Sequence, residues 1–276
     1  MVQIMGIINT TEHSIDADQR VIDDPLIRAR RAFWEGAHWV DIGGQATNPW
    51  APEGDAEAEW ESIATILPRV LNEFPGRVSL DTFRPEVAEN ALKLGSVILN
   101  DVTGFHNPDM IELASRFGTL CIVSHLPFAA EGIVARAHAP EFTPLRNETD
   151  VLAELLVRRR QMINAGIPPD RIILDPGIGF GKTSALNRRL LEFGRLVLDA
   201  NLLAGIDAKV LDEPRIKVMI GHSQKRMIAE NFGGNKTDTV ANLRAAIIAI
   251  QAGASYLRVH EVAAHYELAR SRFRPS

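Results

Sequence analysis

The stretch "LGSVILNDVTG", residues 94–104, passes from Gly95 through one small residue into an apolar run, then ends on the polar pair Asn100 and Asp101. A glycine in this place stops a helix, the β-branched run favours a strand, and the polar pair marks where pairing ends. The same order recurs in "EGAHWVDIGG" (35–44) and "AGASYLRVHE" (252–261). Three such passages across 276 residues predict a chain of repeated helix-to-strand units.

Working outward from these, eight apolar runs qualify as strands: "IMGIIN" (4–9), "WVDIGG" (39–44), "VSLD" (78–81), "VILNDV" (97–102), "LCIVSHL" (120–126), "IILD" (172–175), "IKVMIGH" (216–222) and "YLRVH" (256–260). Helical spacing fills the intervals. "DAEAEWESIATILPRVLNEF" (55–74) places Trp60, Ile63, Ile66, Leu67 and Val70 on one face, with a kink expected at Pro68, and "TDVLAELLVRRRQMINAG" (149–166) ends on Gly166. The strand ends carry Asn9, Asp41, Asp81, Asn100, His125, Asp175, His222 with Ser223, and Arg258 with His260. Polar groups at the end of nearly every strand suit the active face of a (β/α)8 TIM barrel. A doubly wound open sheet would gather them at a switch point instead. The expected fold is therefore α/β, one TIM-barrel domain over residues 1–276, with the irregular stretch 127–150 as an excursion at the active face.

Hydrophobic residues at 46% and charged residues at 24% describe an ordinary globular chain, which excludes disorder. No apolar run is long enough to span a bilayer, and "MVQIMGIINT" reads as a strand without a basic leader, so a cytoplasmic protein with no membrane partner is expected. Cys121, the one cysteine, forms no intramolecular disulfide and reads as a buried thiol. A net charge of −5 without a basic stripe argues against nucleic acid and leaves small molecules as partners.

"IILDPGIGFGKT" (172–183) imitates a phosphate-binding loop, but Pro176 occupies the place where the first glycine must lie. A dinucleotide fingerprint fails as well, because Lys182 stands where its third glycine is needed. The residue to explain becomes Asp175. Locally it reads as a turn or cap residue, as do Asp81 and Ser223, while Arg258 and His260 read as a basic pair on the barrel rim.

Six segments, in order, resemble the dihydropteroate synthase family: "MGIINTTEHS" (5–14), "VDIGGQATNP" (40–49), "VSLDTFRPEVAENALKLGSVILNDVTG" (78–104), "IILDPGIGFGKT", "GHSQKRMI" (221–228) and "LRVHEV" (257–262). That family joins a dihydropterin diphosphate to para-aminobenzoate on a (β/α)8 barrel. The resemblance implies that Asp81, Asn100, Asp175 and Lys225 bind the pterin, with Asp81 and Lys225 as the catalytic pair. It assigns Asn9, Thr47, Arg258 and His260 to the diphosphate, and Phe180, Ser223 and Lys225 to the aminobenzoate. It also implies Mg²⁺ held in part by Asn9, and a homodimer. Lys182 is left as a loop or surface lysine.

The departures from the family pattern lie in two loops and one turn. Ile15 and Ala17 replace the aromatic residue and aspartate of the first loop, Asn48 and Trp50 replace the arginine and glycine of the second, and Gln224 stands where the family carries arginine. Loop closure often assembles reactive geometry, so these changes bear on turnover more than on pterin binding. A non-catalytic pterin-binding paralogue and a transferase with another amine acceptor are the alternatives.

Overall fold

A computed structural model describes residues 1–10, 24–43, 56–127, 147–199 and 216–271. Eight parallel strands, β1 (Gln3–Asn9), β2 (Trp39–Gly43), β3 (Val78–Asp81), β4 (Ile98–Asp101), β5 (Cys121–Ser124), β6 (Ile172–Asp175), β7 (Lys217–Ile220) and β8 (Tyr256–Val259), pair in sequence order. β8 returns to β1, with Met5 beside Arg258, and closes the barrel. The expected strands are therefore all present. Of their polar ends, Asn9, Asp41, Asp81, Asn100, Asp175 and Arg258 are themselves paired, while His125, His222 with Ser223, and His260 lie just beyond the strands.

Helices surround the barrel: α1 (Pro25–Trp34), α2 (Ala56–Ala64), α3 (Leu67–Glu73), α4 (Pro85–Leu94), α5 (Pro108–Phe117), α6 (Glu148–Asn164), α7 (Ser184–Arg189), α8 (Phe193–Leu198), α9 (Arg226–Phe232), α10 (Thr239–Gln251) and α11 (Val262–Ser271). Short polar side chains start many of them. Asp24, Asn107, Asn147, Thr183 and Asp238 each accept an otherwise orphaned amide of the first turn. Pro68 does more than kink its segment. It sits in the first turn of α3 and separates it from α2, because a proline ring clashes with the carbonyl four residues earlier.

Alternation along the strands sorts the apolar residues into two layers. One set, including Ile42, Leu80, Leu99, Leu174, Ile220 and Leu257, joins the helices in the main core. Cys121 belongs there, buried, with its thiol pKa pushed up by the apolar surroundings. The other set, Met5, Ile98, Ile122, Ile173, Met219 and Tyr256, plugs the barrel interior. Trp39 stacks on Tyr256 with ring centroids 4.6 Å apart and closes its lower end. Two residues further along, the inward positions become polar on β2, β4, β5, β6 and β8 (Asp41, Asn100, Ser124, Asp175 and Arg258), while β1 has Ile7 and β7 is followed by Gly221.

Candidate active site

The polar layer above the plug is formed by Asp41, Asp81, Asn100, Asp175 and Arg258, each placed inward by the same strand parity. Arg258 is the hub. Its Nε donates to Asp41 Oδ2 at 2.6 Å and its Nη2 donates to Asp81 Oδ2 at 2.7 Å. Asn100 Nδ2 donates to the same Asp41 oxygen at 2.9 Å, so one wholly buried carboxylate fixes both residues. Against the cost of burial, Asp41 and Asp81 hold the guanidinium charged.

Asp175 closes β6 on the other side of this layer. Its Oδ1 accepts from the Gly177 amide at 2.7 Å, which leaves the second oxygen directed toward the interior near Gly221. A Cβ at Gly221 would lie 3.4 Å from Asp175 Oδ2 and 4.0 Å from Arg258 Cβ, so this inward glycine keeps space open between them. Gly177 is required for a different reason: its φ is +63°, and a Cβ there would lie 2.0 Å from the His125 carbonyl oxygen.

Lys225 enters from the loop between β7 and α9. The preceding residue, Gln224, adopts φ +57° and donates its amide to Asn242 Oδ1 at 2.9 Å, a turn that directs the following lysine across the barrel mouth. Lys225 Nζ lies 4.1 Å from the centroid of the Phe180 ring. Burial pulls its pKa down to about 8, with Arg258 adding to the effect while Asp175 and Asp81 oppose it. Burial pushes Asp81 up to about 7 against the attraction of Arg258, and Asp41 and Glu59 raise it further. Asp175 is also raised, first by burial. Three carboxyl groups thus face two cations, with Asp81 and Lys225 poised near neutrality.

Ser223 and His260 lie beside this cluster. Ser223 Oγ accepts the His260 amide at 3.2 Å and approaches His260 Nδ1 at 3.1 Å, which stitches the end of β7 to the end of β8. Burial, reinforced by Arg258 and Lys225, lowers His260 to about 3, so its ring is neutral at pH 7. Asn9 ends β1 next to Gly43, and its backbone carbonyl accepts from Arg28. Thr47, the residues of the first loop from Glu12 to Asp18, and Asn48 and Trp50 lie outside the described residues.

The structure thus brings Asp81, Asn100, Asp175, Lys225, Arg258 and Phe180 together and places the Ser223–His260 pair at their edge. Sequence reasoning left Asp41 out of the site, although its strand-end position and inward parity were legible signals. It also missed the task of Lys182. That residue lies in the loop as expected, but it is half-buried and turned back, and its Nζ donates to the carbonyls of His125 at 3.0 Å, Gly177 at 2.9 Å and Phe180 at 3.0 Å. A curled glycine turn brings three carbonyls to one point, a feature no local pattern predicts. Glu59, buried on α2 and bonded by Arg84 Nε at 3.0 Å, carried no sequence signal either.

The pattern of the family described as pterin binding enzyme matches residues 5–260. The chain belongs to the pterin-binding enzyme family. Within this family it is 30% identical to the dihydropteroate synthase of Haemophilus influenzae, over 95% of this chain and 90% of that one. It is 33% identical to a Haloferax volcanii protein named "Probable bifunctional folylpolyglutamate synthase/dihydropteroate synthase", but spans only 29% of that protein's length. Among solved structures, a Thermus thermophilus dihydropteroate synthase in complex with 4-aminobenzoate superposes with a TM-score of 0.76 at 34% identity, covering 99% of this chain and 95% of that one. A Xanthomonas albilineans dihydropteroate synthase in complex with 7,8-dihydropteroate gives 0.78 at 27% identity, covering 99% and 95%. The polar strand ends of this pterin-binding barrel are therefore its candidate active site.

Proposed function

We propose that the chain is a dihydropteroate synthase, a transferase that condenses 6-hydroxymethyl-7,8-dihydropterin diphosphate with para-aminobenzoate to give 7,8-dihydropteroate and diphosphate in folate biosynthesis. The observation that carries the reading is the inward polar layer with Asn100 and Asp175, where Gly221 keeps space open between Asp175 and Arg258 and Lys225 reaches in from the loop after β7. A pterin presents a ring N–H and an exocyclic amine side by side, and the Asp175 carboxylate accepts both in the two-point manner used for guanidinium groups. Asn100, oriented by Asp41, reads the ring edge.

In the reaction the aminobenzoate nitrogen bonds to the pterin methylene carbon, the bond from that carbon to diphosphate oxygen breaks, and the amine loses a proton. As diphosphate departs, positive charge develops on the pterin, and the Asp81 carboxylate stabilises it. Lys225 contributes its charge beside the ring and packs over Phe180, whose face forms one wall for the aromatic acceptor. The Ser223 hydroxyl takes the acceptor carboxylate, and Arg258 and His260 lie at the diphosphate end. No nucleophilic side chain is needed. Positioning and electrostatics supply the acceleration.

Mg²⁺ fits this chemistry as an ion carried by the substrate. Asn9 offers one amide oxygen at the strand-end rim, and among the described residues no group of three His, Cys, Asp or Glu side chains gathers to hold a metal. Bound there, the ion would supply charge neutralisation for the departing diphosphate; chelation is expected to weaken dihydropterin diphosphate binding while leaving hydroxymethyl-dihydropterin binding unchanged. Among the described residues no helix is long and apolar enough to cross a membrane. A cytoplasmic homodimer is the assembly we assign, and light scattering at micromolar concentration tests its mass.

A second reading is a pterin-binding paralogue without turnover, favoured by Gln224, whose neutral side chain lacks the charge of the family's arginine. The deciding assay mixes protein, dihydropterin diphosphate, Mg²⁺ and para-aminobenzoate and follows diphosphate and dihydropteroate. Product supports the synthase; pterin binding without product, even at high aminobenzoate, supports the paralogue, and product only with a different amine supports the altered transferase.

A further inference from the structure

Lys182 is a basic group that the mechanism above does not use; burial pulls its pKa down to about 7, against the attraction of Asp175 and Glu154. All three of its N–H donors are spent on backbone carbonyls: that of His125 past β5, and those of Gly177 and Phe180 at either end of the turn following β6. An ammonium so committed has no donor left for a ligand. What it does hold is a short, tightly folded turn in which Gly177, Gly179 and Gly181 all have positive φ.

The rest of that turn is tied at separate points. Asp175 Oδ1 accepts from the Gly177 amide, Asn187 Oδ1 accepts from the Gly179 amide at 2.8 Å, and Asn187 Nδ2 donates to the Lys182 carbonyl at 3.2 Å. The Phe180 amide donates to the Gly177 carbonyl at 3.2 Å. None of these bonds reaches the Phe180 carbonyl, and none joins the tip of the turn to β5. Lys182 alone among the described contacts does both. The tip matters because Phe180 lies under Lys225, and because a Cβ at Gly179 would lie 3.0 Å from Lys225 Cδ, so small shifts of the turn move the aromatic ring and the catalytic lysine together.

We propose that Lys182 is a positioning residue that sets the Phe180 wall and thereby the affinity for the aromatic acceptor, while Asn100 and Asp81 on their strands stand without it. The proposal rests on the synthase reading for the identity of the acceptor. Of the pterin groups, Asn100 and Asp81 are carried by β4 and β3 and have no bond to the turn among the described contacts. Asp175 accepts from the Gly177 amide at its start and Lys225 packs on Gly179 and Phe180, so a smaller part of the loss reaches the pterin, whereas Phe180 depends on the turn directly. Removal of the ammonium takes the donor from the His125 and Phe180 carbonyl oxygens, while the Gly177 carbonyl keeps the Phe180 amide, and the turn opens to rehydrate them.

The test compares wild type, Lys182→Met, Phe180→Ala and the double variant, with KM for para-aminobenzoate, kcat, and the Kd of dihydropterin diphosphate as readouts. Lys182→Met, similar in length and uncharged, is expected to raise the aminobenzoate KM about tenfold, of the order of one lost desolvated cation–ring contact. The pterin diphosphate Kd is expected to change by clearly less than the aminobenzoate KM, because Asn100 and Asp81 keep their places, and Lys182→Gln, which keeps two donors, to recover part of the loss. In the Phe180→Ala background the effect of Lys182→Met should nearly vanish, since the wall it positions is gone. Additive effects in the double variant, equal losses for both substrates, or an unchanged KM would overturn the proposal. If Lys182→Met does not fold, the same comparison is made with Lys182→Gln. If wild type binds pterin without turnover, the synthase reading fails by itself, and the positioning role is judged by calorimetric binding of 4-aminobenzoate to the pterin-saturated proteins.

Discussion

Asp41→Asn isolates the charge at the bottom of the site. The substitution keeps the shape of the side chain and one acceptor oxygen, but removes the negative charge that Arg258 Nε meets at 2.6 Å. Asp41 is 0% exposed and Arg258 19% exposed at the side chain, so water replaces little of the lost interaction. Removing one partner of a buried pair costs about 3–5 kcal/mol, chiefly because the other charge is left uncompensated. Asp81 remains 2.7 Å from Nη2 and takes up part of the imbalance, which puts the expected loss near the lower end, about 3 kcal/mol. Urea unfolding followed by circular dichroism measures it, as a lower midpoint at unchanged slope. A second readout is independent of stability. Asp41 is one of the groups that raise the Asp81 pKa, so the acid limb of the activity profile should move to lower pH in the variant. A stability loss under about 1 kcal/mol together with an unmoved acid limb would refute the reasoning.

The wild-type profile of kcat/KM against pH should be bell-shaped. Asp81 acts as a carboxylate and gains a proton as pH falls through about 7, while Lys225 acts as a cation and loses its proton as pH rises through about 8; activity therefore declines on both sides of a narrow optimum. A profile flat from pH 6 to pH 9 would contradict those roles. Asp175→Asn turns one pterin acceptor into a donor and should weaken pterin binding roughly 10- to 100-fold by calorimetry, the range for a lost hydrogen bond to a charged group; unchanged affinity would remove Asp175 from the pterin site. Gly177→Ala places a methyl group against the His125 carbonyl at positive φ and should cost about 3 kcal/mol or more in urea unfolding, whereas a loss within experimental scatter would mean that the turn has room to relax.

Much of the site was legible because strand parity is a property of the chain itself. Residues two apart face the same side, so "YLRV" already places Arg258 above Tyr256 and "VSLD" places Asp81 above Ser79. The eight runs, their order and their polar ends carried the barrel for the same reason. Pro68 was also visible, although the segment separates into two helices there, since the cost of a proline in a helix interior depends on whether neighbouring packing tolerates a break.

Lys182 shows what such reading misses. Nothing in "GFGKT" distinguishes a lysine that extends into water from one folded back onto its own turn; the outcome depends on the positive φ angles of the surrounding glycines and on the nearness of His125, which is 57 positions away in sequence. Asp41 is a parallel case, visible as a strand-end carboxylate but assigned its task only when Arg258, 217 positions later, closes the barrel beside it. The sequence by itself determined the repeat, the strands, the inward face and the family. The tertiary structure decided which charges meet, because hydrogen bonds and ion pairs depend on separations of a few ångströms that the chain sets only on closing into a barrel.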